Sequence, residues 1–254
     1  MEIVLLGSGN VATHLAKALK AKGEDVLQVY SPNLINAKLL ADSIAAEAVN
    51  DLKAVKSDAD LYIISVKDDA IEGIAASLNK VSGLVVHTSG TTDLKVLSAK
   101  VKHAGVFYPL QTFSKTKEIA FDHIPLCIEA DDAVQLDILH KLASKLSQQV
   151  YEINGDKRKI LHLAAVFACN FPNHLYALAN RILQQNALDF EIIRPLIAET
   201  ADKVMINLPE NVQTGPAVRA DETTINKHLS MLNDMPGLQE IYHTLSDSIK
   251  LMPK

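Results

Sequence analysis

Three groups of residues in this chain have types and spacings that chemistry uses. The first is Gly7-Ser8-Gly9-Asn10-Val11-Ala12, set directly after the apolar run Ile3-Val4-Leu5-Leu6 and before a helical pattern reaching Lys22. Gly7 permits a tight turn. Gly9 has no side chain, so a phosphate can approach the backbone, and Ala12 lets the helix pack close to a sheet. The following helix presents free N–H groups and the positive end of its dipole to the same place. Strand, glycine turn and helix in this order predict a site for a dinucleotide pyrophosphate over Gly7, Ser8, Gly9, Asn10 and Val11. A purely structural turn is the competing reading.

The second group lies at the ends of later strand patterns. A site for NAD places Asp or Glu about 20 residues beyond the glycines to hold the ribose 2′-hydroxyl. Here that strand ends Val29-Tyr30-Ser31-Pro32-Asn33, and Asp25 stands at its other end. Without a carboxylate there is no repulsion against a 2′-phosphate, to which Ser31 and Asn33 can donate, with Lys38 adding charge. The usual Arg is absent, so NADP is favoured over NAD without NAD being excluded. An ordinary Ser-Pro-Asn turn is the alternative. Ser65-Val66-Lys67-Asp68-Asp69 and His87-Thr88-Ser89-Gly90-Thr91 end two further strands. Ligands bind outside the carboxyl ends of parallel strands. Ser65, Val66, Lys67, Thr88 and Ser89 therefore suit contact with the cofactor's ribose and nicotinamide. Helix capping by Asp68, Thr92 or Asp93 competes with that role.

The third group is polar side chains in an apolar helical stretch. His162, Asn170 and His174 span about 120° of a continuous helix. A neutral His beside an Asn can donate to a substrate carbonyl and deliver a proton; buried polar groups bonded to the backbone are the alternative. Pro172 is expected to leave the Ala168 carbonyl unpaired and kink the helix. Further on, Arg219 follows the turn Thr214-Gly215-Pro216 and precedes Asp221 and His228. Its planar fork suits a carboxylate or phosphate; a structural Arg219–Asp221 pair competes. Lys157-Arg158-Lys159 reads as a solvated helix start.

These groups need elements to hold them. Strand patterns fall at 2–6, 25–30, 46–49, 61–66, 84–87, 105–110, 125–129 and 149–153. Helical patterns fall at 11–22, 34–44, 69–78, 94–102 and 132–146. Alternation of this kind predicts an α/β fold, a doubly wound, mainly parallel Rossmann sheet. Beyond Asn154 no strand is expected. One long helix is predicted from Asp156 to about Asn186, then helices at 190–206, 221–233 and 237–251. The expected domains are 1–154, binding the dinucleotide, and 155–254, an all-helical substrate and dimerisation domain, with substrate in the cleft between them.

Composition narrows the classes. The 254 residues are 48% hydrophobic and 22% charged, with net charge −5 and no block of five basic residues. That argues for a globular protein without a nucleic-acid surface. No metal motif occurs. Cys127 and Cys169 lie in apolar runs and are expected as buried free thiols. The segment Ile160–Asn180 has no charged residue but holds His162, Asn170, Pro172, Asn173, His174 and Asn180. It reads as a buried helix, in a core or a subunit interface, rather than a membrane span. A first strand beginning at residue 2 leaves no room for a signal peptide, so a cytoplasmic location is expected.

The glycine start, the Ser65-Val66-Lys67-Asp68 loop and the strand Gly105-Val106-Phe107-Tyr108-Pro109-Leu110 resemble a known superfamily. It contains prephenate dehydrogenase, pyrroline-5-carboxylate reductase, ketopantoate reductase and deazaflavin-dependent NADP oxidoreductase. The runs His162–Phe171 and Thr214–Asp221, with His228, resemble a narrower family of NADP oxidoreductases that joins a Rossmann-like half to a helical half. The sequence departs from its relatives at two points. Val166 stands where hydroxyacid-type members carry a Lys one turn before an Asn. Tyr108 stands where prephenate dehydrogenases have His. The resemblance implies an NADP-dependent oxidoreductase acting on a small, anionic carbonyl, imine or alcohol. His162 and Asn170 would polarise the reacting group, Tyr108 or Gln111 being second choices, and Arg219 would anchor the anion. A homodimer through the helical domain is expected. A non-catalytic NADP(H) sensor or scaffold is the rival reading.

Overall fold

The computed structural model describes residues 1–252. The chain forms two compact units, Met1–Cys169 and Asn170 onward. In the first, eight strands make one sheet: β1 (Glu2–Leu6), β2 (Asp25–Tyr30), β3 (Glu47–Val49), β4 (Leu61–Ile64), β5 (Leu84–His87), β6 (Ala104–Pro109), β7 (Leu126–Ala130) and β8 (Val150–Glu152). Their order is β3-β2-β1-β4-β5-β6-β7-β8. All neighbours pair in parallel except β6 and β7. That exception has a local cause. A parallel neighbour needs a crossover, usually a helix. Between β6 and β7 the chain holds only a 3-10 turn, Phe121–His123, so it returns antiparallel.

Helices α1 (Asn10–Ala21), α2 (Leu34–Ile44), α3 (Asp68–Ser77), α4 (Lys95–Ser98), α5 (Ala133–Leu146) and α6 (Gly155–Ala165) complete this unit. Side chains of Asn33, Asp132 and Asn154 cap α2, α5 and α6, each cap stabilising by about 1 kcal/mol. Both faces of the sheet are covered. Ile3 and Leu5 of β1 pack with Leu15 and Leu19 of α1, Leu40 of α2 and Leu139 of α5. Val4 and Leu6 point the other way, into the cluster holding Ile71 of α3 and Leu97 of α4. Burying a leucine such as Leu15 contributes about 2 kcal/mol. α4 is shorter than its sequence pattern because, of its own residues, only Leu97 is buried.

The long helix expected from Asp156 to Asn186 is interrupted. α6 stops at Ala165, a π-helical turn occupies Val166–Asn170, and α7 (Phe171–Gln185) follows. The cause is Pro172. Inside an unbroken α-helix it removes a hydrogen bond and clashes with the preceding turn. The wide turn places it instead in the first turn of α7, where no N–H is needed. The continuous phase on which a His162–Asn170–His174 track depended is therefore broken.

The second unit is helical. After α7 come a 3-10 turn (Phe190–Ile193), α8 (Arg194–Ile206), a 3-10 turn (Pro209–Val212), α9 (Glu222–Met231) and α10 (Pro236–Leu251). Phe190–Ile206 is not one helix, because Pro195 sets the α-helical start at Arg194. Ala217, Ile225 and Leu232 are its buried apolar residues, whereas Leu188, Ile192, Leu196, Met205 and Ile206 are exposed. Two expectations change here. The Ile160–Asn180 stretch is not core within this chain, since Ile160 and Leu163 are exposed. Cys127 is buried, but Cys169, in the π turn, is exposed.

Candidate cofactor and active site

The turn after β1 fits a pyrophosphate. Gly7 has φ +131° and its N–H donates to the Tyr30 carbonyl at 2.8 Å. A Cβ there would stand 2.0 Å from the Ser65 carbonyl oxygen, so β4 requires the glycine. Gly9 differs: a Cβ on it would meet nothing within 4 Å. It is the N-cap of α1, which no side chain caps and whose first turn carries no acid. The open space and the free end of the helix together leave room for an anion.

Around this turn the strand ends are ordered by short polar contacts. The Thr88 hydroxyl donates to the Ser65 hydroxyl at 3.1 Å, linking the ends of β4 and β5. Ser31 is buried at the end of β2, its N–H bonded to the Val49 carbonyl. Asn33 Oδ1 accepts from Ile35 and Asn36 N–H, so its oxygen is committed to the α2 cap while its amide nitrogen can serve a ligand. Ser89 Oγ accepts from the N–H of Thr91 and Thr92, which makes it a turn-former. Lys67 is the N-cap of α3 and exposed. Asp68, a sequence candidate for capping, instead takes the Thr91 hydroxyl.

On β6 and α6 the structure brings two candidates together. The Tyr108 hydroxyl lies 3.0 Å from His162 Nδ1, with the rings edge to face. Gly90 sits beneath them. A Cβ on Gly90 would come within 2.7 Å of His162 Nδ1 and 2.9 Å of Tyr108 Cζ. Burial, reinforced by the neighbouring Cys127, pushes the Tyr108 hydroxyl up to about 12. It therefore stays protonated at neutral pH and acts as a hydrogen-bond donor rather than a base.

Arg158 holds this corner, and the sequence reading missed it. The run Lys157-Arg158-Lys159 is not simply a solvated start: Arg158 is fully buried. Its Nη1 donates to Glu129 Oε2 on β7 and its Nη2 to the Thr92 carbonyl at 2.6 Å. Glu129 Oε1 also accepts the Gly155 N–H at 3.1 Å. One side chain thus joins α6, β7 and the loop after β5. The only signal in the sequence was its position one turn before His162. Beside it, His87 is fully buried, and its Nδ1 accepts the Ser89 N–H at 3.2 Å. Burial, with the Arg158 charge adding, pulls the His87 imidazole down to about 4.

Gln111 is exposed, its Oε1 accepting the Thr112 N–H. Asn170, His174 and Arg219 are exposed and belong to the second unit. Asp221 caps α9 through Thr224, whose N–H holds its carboxyl below the usual range, the Arg219 charge adding. His228 Nδ1 meets the Tyr242 hydroxyl at 2.8 Å. Among the described residues no cluster suited to a metal ion occurs, and no helix is long and apolar enough to cross a membrane.

Comparison with known proteins agrees with this geometry. Residues 2–89 match the family described as NADP oxidoreductase coenzyme F420-dependent, and residues 124–249 match a domain of unknown function, DUF2520. A candidate NADP oxidoreductase from Bacteroides fragilis is 46% identical, with 99% of this chain and 98% of that one covered and a TM-score of 0.95. A Thermotoga maritima protein is similar at 24% identity, covering 98% of each chain, TM-score 0.82. An imine reductase from Myxococcus stipitatus, solved with NADP+, shares the fold at 13% identity, covering 98% of this chain and 92% of that one, TM-score 0.62. No curated protein matches the chain. With an open, uncapped glycine cradle at β1, no carboxylate at the end of β2, and a near relative matching along almost its whole length, the chain belongs to the NADP oxidoreductase family that joins a Rossmann-like domain to a DUF2520 domain.

Proposed function

We propose that this protein transfers a hydride between NADP and a small carbonyl, imine or alcohol, with Tyr108 and His162 handling the proton. The observation that carries this is the 3.0 Å contact between the Tyr108 hydroxyl and His162 Nδ1 over Gly90. The strand order reverses between β1 and β4, the place where such sheets bind dinucleotides. The adenosine half belongs on the β2 side, over Ser31 and Asn33. The nicotinamide half belongs on the β4–β6 side, over Ser65, Val66, Lys67, Thr88 and Ser89. Tyr108 stands on β6, three strand spacings or about 14 Å from β1.

The nicotinamide supplies or takes the hydride. In the reducing direction the substrate carbon gains that hydride and its oxygen or nitrogen gains one proton. The Tyr108 hydroxyl donates to that heteroatom, and His162 replaces the proton through Nδ1. Exposed apolar side chains, Ile160 and Leu163 in the first unit and Leu175, Ile182 and Leu196 in the second, support a homodimer, acting in the cytoplasm.

The test is a screen of NADPH oxidation against small carboxylate-bearing carbonyls and imines. Tyr108→Phe and His162→Ala should each lower kcat by about 100-fold with NADPH affinity unchanged. Undiminished turnover in His162→Ala would remove the proton role. NADPH binding without turnover of any substrate would favour a sensor.

A further inference from the structure

The connection between β6 and β7 runs back across the glycine turn and is tied to it. Asn10 Nδ2 donates to the Phe113 carbonyl at 3.0 Å. His14 Nε2 meets the Ser114 carbonyl at 2.8 Å. Lys115 Nζ donates to the Ser8 carbonyl at 2.9 Å. Rings reinforce these bonds: Phe113 lies 5.0 Å from His14 and 5.9 Å from Phe121, centroid to centroid. The backbone from Phe113 to Lys115 is therefore a strap held by the start of α1, about 100 residues away in sequence.

The strap delivers a charge. The glycine turn offers only N–H dipoles, and the lysines of α1, Lys17 and Lys20, both lie beyond its first turn. A pyrophosphate carries two negative charges there. Lys17 and Lys22 of this region face Glu118 and Asp122. The Lys115 ammonium stands at the turn itself and has three N–H donors, of which Ser8 takes one. Lys115 is exposed, so the other two remain open to a ligand.

We propose that Lys115 is a cofactor-binding residue that pairs with the pyrophosphate of NADP, and that the Phe113–Lys115 strap is what brings it there. Backbone dipoles from α1 and a full charge from the β6–β7 connection then hold the same group. This inference rests on the placing of the cofactor over Gly7–Val11. It gives the strap a reason to cross the turn, and it makes part of the affinity electrostatic, hence sensitive to salt.

The test is calorimetric titration of the whole protein, Lys115→Ala and Lys115→Arg with NADPH and with NADH. Each is run at about 0.01 M and about 1 M salt, where the Debye length is about 30 Å and about 3 Å. Lys115→Ala should weaken both nucleotides about tenfold at low salt and less than about twofold at high salt, with Lys115→Arg within about threefold of the original. Unchanged low-salt affinity would overturn the proposal. So would an equal loss at both salts, which would make Lys115 a prop for the Ser8 carbonyl. A loss confined to NADPH would assign it to the 2′-phosphate instead. Failure of the unaltered protein to bind either nucleotide is a separate result, one that removes the cofactor site itself. Thermal melting checks that the variants are folded.

Discussion

Two glycine corners of the same sheet are built in opposite ways. The corner after β1 is local: Gly7, Ser8 and Gly9 lie within three positions, and the helix that completes it follows at once. The corner after β5 is assembled from far apart. Gly90 is needed because His162 from α6 and Tyr108 from β6 press on it, and Arg158 clamps the loop through the Thr92 carbonyl. A site that uses backbone N–H groups can be written in a few adjacent residues. A site that uses side-chain protons needs several elements to converge, and no short pattern records that.

The sharpest way to break the comparison is to add a methyl group within the β1 corner. Gly7→Ala puts a Cβ 2.0 Å from the Ser65 carbonyl oxygen at φ +131°. It should destabilise by about 4 kcal/mol or more, read by chemical denaturation. The Cβ of Gly9→Val meets nothing within 4 Å. The change should cost only about 1 kcal/mol of stability, for a poorer N-cap residue, yet weaken NADPH binding about 100-fold, as the side chain fills the phosphate's place. Equal destabilisation by both changes would erase the distinction between a structural and a binding glycine.

The β5 corner has a pH signature. His87 falls from 6.5 to about 4 on folding, so the unfolded chain binds its proton first as pH drops. The stability from neutral, buried His87 is present above about 6.5 and is lost as pH falls toward about 4, a change of about 3 kcal/mol. His87→Gln should remove that part of the slope in denaturation measured across this range. An unchanged slope would show that other groups carry the acid sensitivity. The smallest expected effect is at Gly90. Gly90→Ala crowds two side chains rather than backbone, and should cost about 1–2 kcal/mol while displacing the His162 ring. Its imidazole signals in NMR report this, and an unmoved ring would mean the corner has slack.

Much of the sheet was legible because the strands are short apolar runs separated by amphipathic helices with evident caps. β1, β2 and β5 occupy the residues that their patterns mark. The errors arise where the pattern has no local meaning. Pro172 signals a break but not its form, and a π turn is one solution among several. Lys157, Arg158 and Lys159 look alike in sequence, yet only Arg158 is buried, because only it faces Glu129 and Thr92. Cys169 lies in an apolar run that this chain does not cover. Ser89 and Asn33 look like ligand donors, but each spends its oxygen on a nearby N–H. Lys115 gave no signal, since its partner Ser8 is 107 residues away.

The amino-acid sequence by itself determined the Rossmann sheet, the glycine cradle and the absence of a carboxylate at the end of β2, and so a preference for NADP over NAD. These depend on periodicity and on residues that are neighbours along the chain. Only the tertiary structure decided that Tyr108 meets His162, that Arg158 is interior and that Lys115 reaches the glycine turn. Those contacts join residues 29 to 107 positions apart. They form only after the sheet and its helices have brought their ends together, because loop closure is costly until packing rewards it.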